Sequence, residues 1–288
     1  MSEGGSMRHF LTTKPRGAGR AAAFGATIAA ALFLPNAADA VPAPAERIVI
    51  SYVEPANRSF LPLLDLLKEK RALERVRDVL LPIQWSRPLT IETKECDGDA
   101  NAWYGNGKIT ICYEYLAEMW SRASSSKRPK SVALEDAFVG PAMDVVMHEA
   151  GHALFDVLQI PVLGREEDAA DQVAAYSVLQ LPDDQKRRLV IGTAYSYGNA
   201  LKVRNARDLY RPRLNVGRHV NFSDEHGTPA QRLFNLLCIA YGSDPKLFAD
   251  VVAQGYLPKD RAEICEQEYH QVDFAYRTLI APHRDQSQ

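Results

Sequence analysis

The sequence has 288 residues, of which 46% are hydrophobic and 24% charged, with four cysteines. These values lie near the averages of globular proteins and exclude collagen-like, coiled-coil, wholly disordered and polytopic membrane proteins. The 34 basic and 36 acidic residues leave a formal net charge of −2, so the sequence lacks the excess of positive charge that binding a nucleic acid needs.

Residues 1–40 have the composition of a secretory signal peptide. A basic stretch precedes an apolar run at 21–35, and Ala38 and Ala40 offer the small side chains that a signal peptidase recognises. The run is shorter than the roughly 20 apolar residues of a membrane-spanning helix, so we expect no permanent membrane anchor. We predict cleavage near Ala40 and a secreted or periplasmic protein; an Ala-rich disordered tail is the alternative.

The next part of the chain predicts a small sheet. Residues 46–53 alternate apolar and polar side chains and predict a strand. A long amphipathic helix is expected from residue 57 or 59 to about 80. Leu89–Thr93 and Lys108–Tyr113 are predicted to form the two strands of a hairpin, with its turn near Asn106–Gly107.

An exported protein is expected to oxidise its four cysteines to two disulfide bonds. Cys96 and Cys112 are close in sequence, as are Cys238 and Cys265, whereas any cross-pairing would join more distant residues. We therefore predict Cys96 paired with Cys112 and Cys238 paired with Cys265. A four-cysteine zinc site is the competing interpretation, but the sequence contains no Cys-x-x-Cys spacing.

The remainder is predicted to be mainly helical after an exposed, Ser- and Lys-rich loop at 121–131. The predicted helices span about 143–158, 165–180, 183–203, 228–241, 244–253 and 260–279, with an irregular stretch at 205–225. The sequence therefore predicts an α+β protein in one domain from residue 41. Its small sheet with a hairpin occupies about 46–113, and its helical part about 133–280.

One predicted helix carries two histidines a single turn apart. His148 and His152 would lie on the same helix face, so that their ring nitrogens can bind one metal ion. Glu149 lies beside the metal rather than on it, where its carboxylate can accept a proton from a zinc-activated water. Two ordinary helix histidines, either exposed or hydrogen-bonded, are the alternative.

A catalytic zinc site needs a third protein ligand. The next predicted helix begins with acids, of which Glu167 and Asp171 are four residues apart; one can bind the metal and the other can accept a hydrogen bond from a ligand imidazole. Glu166 is the alternative third ligand, because spacing alone does not separate adjacent acids. A solvated acidic helix N-terminus is the other interpretation.

These motifs resemble a known group of enzymes. His-Glu-Ala-Gly-His at 148–152, followed by Gly-Arg-Glu-Glu-Asp-Ala-Ala-Asp at 164–171, resembles the gluzincin metallopeptidases. The chain is more closely similar to a bacterial family known as putative metallopeptidases, a domain of unknown function. Further matching residues are Glu95-Cys96, Asn101-Ala102, Cys112-Tyr113-Glu114, Asp224-Glu225-His226, Gln231-Arg232, Cys238 and Cys265 to Tyr269.

The resemblance covers most of residues 46–283 and implies a zincin-like helical part, one Zn²⁺ per chain and a peptide or protein substrate. It implies His148, His152 and Glu167 as ligands, Glu149 as general base and Asp171 as the carboxylate that orients a ligand histidine. The interval between His152 and Glu167 is shorter than in longer gluzincins, which argues against a deep bilobal cleft.

Peptide hydrolysis also needs a group that stabilises the developing oxyanion. His226, ahead of the helix that begins near Thr228, is the first candidate and Tyr113 the second; a capping or surface histidine and a packing tyrosine are the alternatives. The strand Lys108–Tyr113 is predicted to be an edge strand that can pair with an extended peptide.

Other enzyme classes lack their motifs in this sequence. There is no Gly-x-Ser-x-Gly elbow, no phosphate-binding Gly-x-x-x-x-Gly-Lys loop and only one Glu-x-x-His unit, where a di-metal bundle needs two. Two hypotheses remain: an exported zinc peptidase, or a catalytically weak zinc-binding envelope or adaptor protein with a gluzincin-like fold. Glu149 favours the first, because a structural metal site needs no base.

Overall fold

The computed structural model describes residues 47–125, 127–200 and 225–284. It contains a mixed sheet of four short strands, β1 (Ile48–Tyr52), β2 (Leu89–Lys94), β3 (Ala102–Gly105) and β4 (Lys108–Cys112). Their order in the sheet is β1-β2-β4-β3. β1, β2 and β4 run parallel, and β3 is antiparallel to β4.

The predicted hairpin has the right turn but the wrong pair of strands. β2 and β4 are neighbours, but they are parallel, with Thr90 opposite Lys108. The turn at Asn106–Gly107 joins β3 to β4, and its residues have φ values of 51° and 74°, as a two-residue hairpin turn requires. β4 therefore lies inside the sheet. The prediction that Lys108–Tyr113 is an edge strand is wrong, because β3 occupies that edge.

The helical part follows, and the predicted α+β class is confirmed. The α-helices of the described residues are α1 (Leu61–Glu69), α2 (Ala72–Leu80), α3 (Tyr113–Ala123), α4 (Leu134–Val157), α5 (Glu166–Leu179), α6 (Asp183–Ala200), α7 (Pro229–Ser243), α8 (Ala249–Ala253), α9 (Lys259–Ala262) and α10 (Cys265–Leu279).

Several helix boundaries differ from the prediction. The expected helix from 57 or 59 to 80 is a 3-10 turn at Arg58–Phe60 followed by α1 and α2, because Arg71 between them has a left-handed φ of 52°. α3 extends into the predicted loop at 121–131. α4 begins at Leu134, nine residues before the predicted start, and includes Pro141.

The later helices agree better with the prediction. α5 and α7 lie within two residues of the predicted bounds, whereas the predicted helix at 244–253 is helical only over Ala249–Ala253. The predicted helix at 260–279 is divided into α9 and α10. The signal peptide at 1–40, the end of the predicted helix at 201–203 and the irregular stretch at 205–224 lie outside the described residues.

Two apolar clusters form the core. The first packs the sheet against α1 to α4, and Leu89, Ile91 and Ile109 at its centre are fully buried. The second lies among α5 to α8 and α10, around Leu237 and Phe248. In the part of the chain that is described, no helix is long and apolar enough to cross a membrane.

Both disulfide bonds have the predicted partners. Cys96 and Cys112 join the loop after β2 to the end of β4, and Cys238 and Cys265 join α7 to α10. Because all four sulfurs are oxidised, the alternative of a four-cysteine zinc site is excluded.

Candidate metal centre

Helix α4 carries the histidines and the glutamate of the predicted site. His148 and His152 lie one turn apart, and their Nε2 atoms are 3.2 Å from each other. His148 and Glu149 are only 2% and 6% exposed. Burying polar side chains is unfavourable unless they have partners. The neighbouring elements supply those partners.

Helix α5 can approach α4 closely because Gly151 has no side chain. A Cβ atom on Gly151 would lie 3.0 Å from the Cα atom of Ala170, so a larger residue would separate the two helices. The chain turns between them at Gly164, whose φ of +101° favours glycine. This close contact brings the acidic start of α5 to the histidines.

Glu167 faces both histidines with its two carboxylate oxygens. Its Oε2 atom is 3.0 Å from Nε2 of His148, and its Oε1 atom is 3.5 Å from Nε2 of His152. Glu166 instead contacts Nδ1 of His152 and is much more exposed, at 56% against 18% for Glu167. The structure therefore brings Glu167, rather than Glu166, to the converging nitrogens.

The Nδ1 atoms of His148 and His152, on the side of each ring away from the converging Nε2 atoms, each contact a carboxylate. Nδ1 of His148 lies 2.8 Å from Oδ1 of Asp171, and Nδ1 of His152 lies 2.8 Å from Oε1 of Glu166. An ionised carboxylate can only accept a hydrogen bond, so each Nδ1 carries the proton and donates it. In the neutral rings, the Nε2 lone pairs then face each other and Glu167.

This arrangement of acceptors fits one divalent metal ion. Tetrahedral zinc, with ligands at about 2.0–2.1 Å, separates neighbouring ligand atoms by about 3.3 Å. The two Nε2 atoms are 3.2 Å apart, and Oε2 and Oε1 of Glu167 lie 3.0 Å from that of His148 and 3.5 Å from that of His152. Two imidazoles and a carboxylate are donors that suit zinc. With both rings neutral, the two Nε2 lone pairs and the Glu167 carboxylate would repel one another unless a cation lies between them.

Asp171 is held in its charged form between His148 and Arg232. Burial alone would raise the pKa of Asp171, but the hydrogen bond from His148 and the charge of Arg232 outweigh burial and lower it. Nε of Arg232 donates to Asp171 at 2.9 Å. Burial disfavours the charged form of His148, yet the hydrogen bond and charge of Asp171 raise its pKa. The ionised Asp171 therefore favours positive charge on His148 or next to it.

Arg232 is part of a half-buried polar network next to His148. Its guanidinium lies 5.1 Å from the ring centre of Tyr197, which donates a hydrogen bond to Asp144 at 2.7 Å. Burial raises the pKa of Asp144. Asp144 lies one helical turn before His148 on α4, so the network connects α4, α6 and α7 around Asp171 and limits its movement.

Glu149 is fixed by the edge strand. Its carboxylate accepts a hydrogen bond from the main-chain N–H of Tyr104 in β3. The Tyr104 hydroxyl donates to Asp156 of α4 at 2.6 Å. Burial raises the pKa of Glu149, against the opposing charges of His148 and His152. A carboxylate with a raised pKa is a better proton acceptor.

A cavity of about 610 Å³ opens in front of these groups, a size typical of ligand sites. It is lined by residues 101–104 at the start of the edge strand and by Glu149 and His152 of α4. Residues 165–167, Glu225 and His226 complete the lining. Glu149 and one of the converging histidines are therefore accessible to a ligand.

Comparison with known protein families agrees with this geometry. The sequence profile of a family described as "DUF4344: Putative metallopeptidase" matches residues 52–280. The chain belongs to this putative metallopeptidase family. No curated protein and no solved structure matches the chain. The family name supports a hydrolase that uses a metal and acts on peptides, and the match includes the whole cavity.

Tyr113 does not contribute to the site of this family member. Its side chain is fully buried, and its hydroxyl lies 3.1 Å from Oγ1 of Thr93 and donates to the carbonyl of Val53 at 2.8 Å. It does not line the cavity. The expectation that Tyr113 assists the oxyanion is therefore corrected: it is a packing residue, as the alternative interpretation held.

His226 does reach the site, where its Nε2 atom lies 2.9 Å from Glu167. Sequence reasoning assigned no role to Tyr104, Arg165 or Arg232. Arg165 and Arg232 did have a signal, because Arg165 belongs to the stretch at 164–171 and Arg232 to the Gln231-Arg232 pair on which the resemblance rests.

Proposed function

We propose that this protein is a zinc-dependent peptidase with a gluzincin-like centre. His148, His152 and Glu167 would hold one Zn²⁺, and Asp171 would orient His148. The observation that carries the proposal is the convergence of three side chains: the Nε2 atoms of His148 and His152 are 3.2 Å apart, and the two carboxylate oxygens of Glu167 lie 3.0 Å from the first and 3.5 Å from the second. Hydrogen bonds from both Nδ1 atoms to carboxylates support it, because metal-binding histidines are usually held in this way.

A zinc ion at this position would polarise the scissile carbonyl and lower the pKa of a water molecule. Glu149 is the group that would take up the proton and later transfer it to the leaving amine. Its burial, its raised pKa and its place in the lining of the cavity all support this role. The main-chain N–H of Tyr104 would keep the carboxylate oriented.

The substrate would be an extended peptide that lies along β3. Cys112 donates its main-chain N–H to the carbonyl of Asn101, so Ala102 and Tyr104, at the alternate positions, direct their main-chain groups away from β4. The N–H of Tyr104 is used by Glu149, whereas its carbonyl and that of Ala102 face outward. Two outward carbonyls can accept hydrogen bonds from a substrate strand.

The proposal includes export. Residues 1–40 would be a signal peptide, and the chain from residue 41 would form a single domain that is secreted or periplasmic. The two disulfide bonds support this, because such bonds persist in oxidising compartments.

The test is hydrolysis of a degenerate peptide library by the purified protein, read by mass spectrometry. We expect cleavage that stops after metal removal by a chelator and returns when one equivalent of zinc is added, because the donors fit one ion. Cleavage that continues in the metal-free protein would contradict the proposal. Stoichiometric zinc without cleavage would favour the adaptor hypothesis.

A further inference from the structure

His226 lies among the proposed metal ligands rather than beside them. Its Nε2 atom is 2.9 Å from Oε2 of Glu167, and the same oxygen is 3.0 Å from Nε2 of His148. The rings of His226 and His148 stack with their centres 5.8 Å apart. One donor atom from each of these three residues lies within 4.8 Å of the other two.

The main chain on both sides of His226 is anchored. On one side, Thr228 and Gln231 form a reciprocal capping box at the start of α7. On the other side, the carbonyl of Glu225 accepts a hydrogen bond from Arg165 at 3.4 Å. Arg165 is itself held by Asp168 on α5. The position of the imidazole over Glu167 is therefore built into the fold.

We propose that His226 is a fourth protein ligand of the metal in the resting enzyme. The inference rests on the proposed function, because it assigns His226 to the same centre. A centre with four protein ligands is closed, whereas catalysis needs one open position. His226 would therefore occupy the position that the substrate must reach, and the resting enzyme would be latent.

His226 is also the donor best placed to leave. Its side chain is 49% exposed, against 3% for His148, 14% for His152 and 18% for Glu167. A peptide that enters along β3 could displace His226 while those ligands stay in place. His226 thus acts as an exchangeable ligand, whereas the sequence suggested only an oxyanion role.

The test compares His226→Ala with the native protein in zinc affinity, measured by competition with a chromogenic chelator, and in the visible spectrum of the Co²⁺-substituted protein. We expect affinity to fall at least about tenfold and the cobalt bands to change, because one nitrogen ligand is lost. His270→Ala is the control, because His270 is exposed and its nearest acid is 3.9 Å away. It should leave both readouts unchanged.

An affinity within twofold of the native value, with unchanged cobalt bands, would overturn the inference even if the protein cleaves peptides. A loss of affinity in His226→Ala when neither form cleaves peptides would support the ligand role and contradict the peptidase proposal. The two failures can therefore be told apart.

Discussion

Glu149→Gln is expected to lower peptide hydrolysis by a factor on the order of 10²–10⁴ while zinc binding is retained. The amide cannot take up the proton, but it has the same shape and can still accept the hydrogen bond from Tyr104. Because Glu149 does not face the converging nitrogens as Glu167 does, its change should leave the metal ligands in place.

The measurement pairs the cleavage rate with zinc content for native protein, Glu149→Gln and Glu266→Gln. Glu266 is an exposed glutamate on α10 with 72% of its side chain accessible, so its variant should behave like the native protein. Equal cleavage by Glu149→Gln and the native protein would contradict the assignment of Glu149 as the general base.

Gly192→Ala is expected to destabilise the fold by about 3 kcal/mol or more. A Cβ atom at Gly192 in α6 would lie 1.9 Å from the carbonyl oxygen of Asp136 in α4. Gly140 in α4 faces the same crossing, where a Cβ would be 2.6 Å from the carbonyl of Leu189. Relief of these contacts needs movement of the helix main chain, and α4 is the helix that carries His148.

The control for this substitution lies in the same helix. Gly198 has no atom within 4 Å of the position its Cβ would take, so Gly198→Ala should be neutral or stabilise the helix by up to about 1 kcal/mol. Urea unfolding of both variants gives the comparison. A free energy of unfolding for Gly192→Ala close to that of Gly198→Ala would contradict the close contact between the main chains of α4 and α6 at Gly192.

The local parts of the site could be predicted from the sequence. His148 and His152 share a face because helical periodicity places residues four apart together, and this needs no tertiary information. Asp171 and Glu167 follow the same rule on the next helix. The sequence could not show whether Glu166 or Glu167 faces the histidines. That depends on how α5 is rotated against α4, which is determined by the close contact of Gly151 with Ala170.

The long-range parts could not be predicted. β3 has four residues in the segment between Cys96 and Cys112, too few to show a clear alternation of apolar and polar side chains. Its place at the edge of the sheet depends on its pairing with β4. Consequently the role of Tyr104 beside Glu149 was missed. Arg232 reaches Asp171 across 61 residues, and no local pattern indicates such a contact. Pro141 lies within α4, where proline normally indicates a helix boundary.

The most direct test of the metal centre is titration of the metal-free protein with zinc, comparing native protein with Glu167→Gln and Glu166→Gln. We expect one zinc per chain, an affinity at least about 100-fold weaker for Glu167→Gln, and a smaller loss for Glu166→Gln, because Glu166 contacts Nδ1 of His152 rather than Nε2. No zinc binding by the native protein, or equal losses in the two variants, would contradict this expectation.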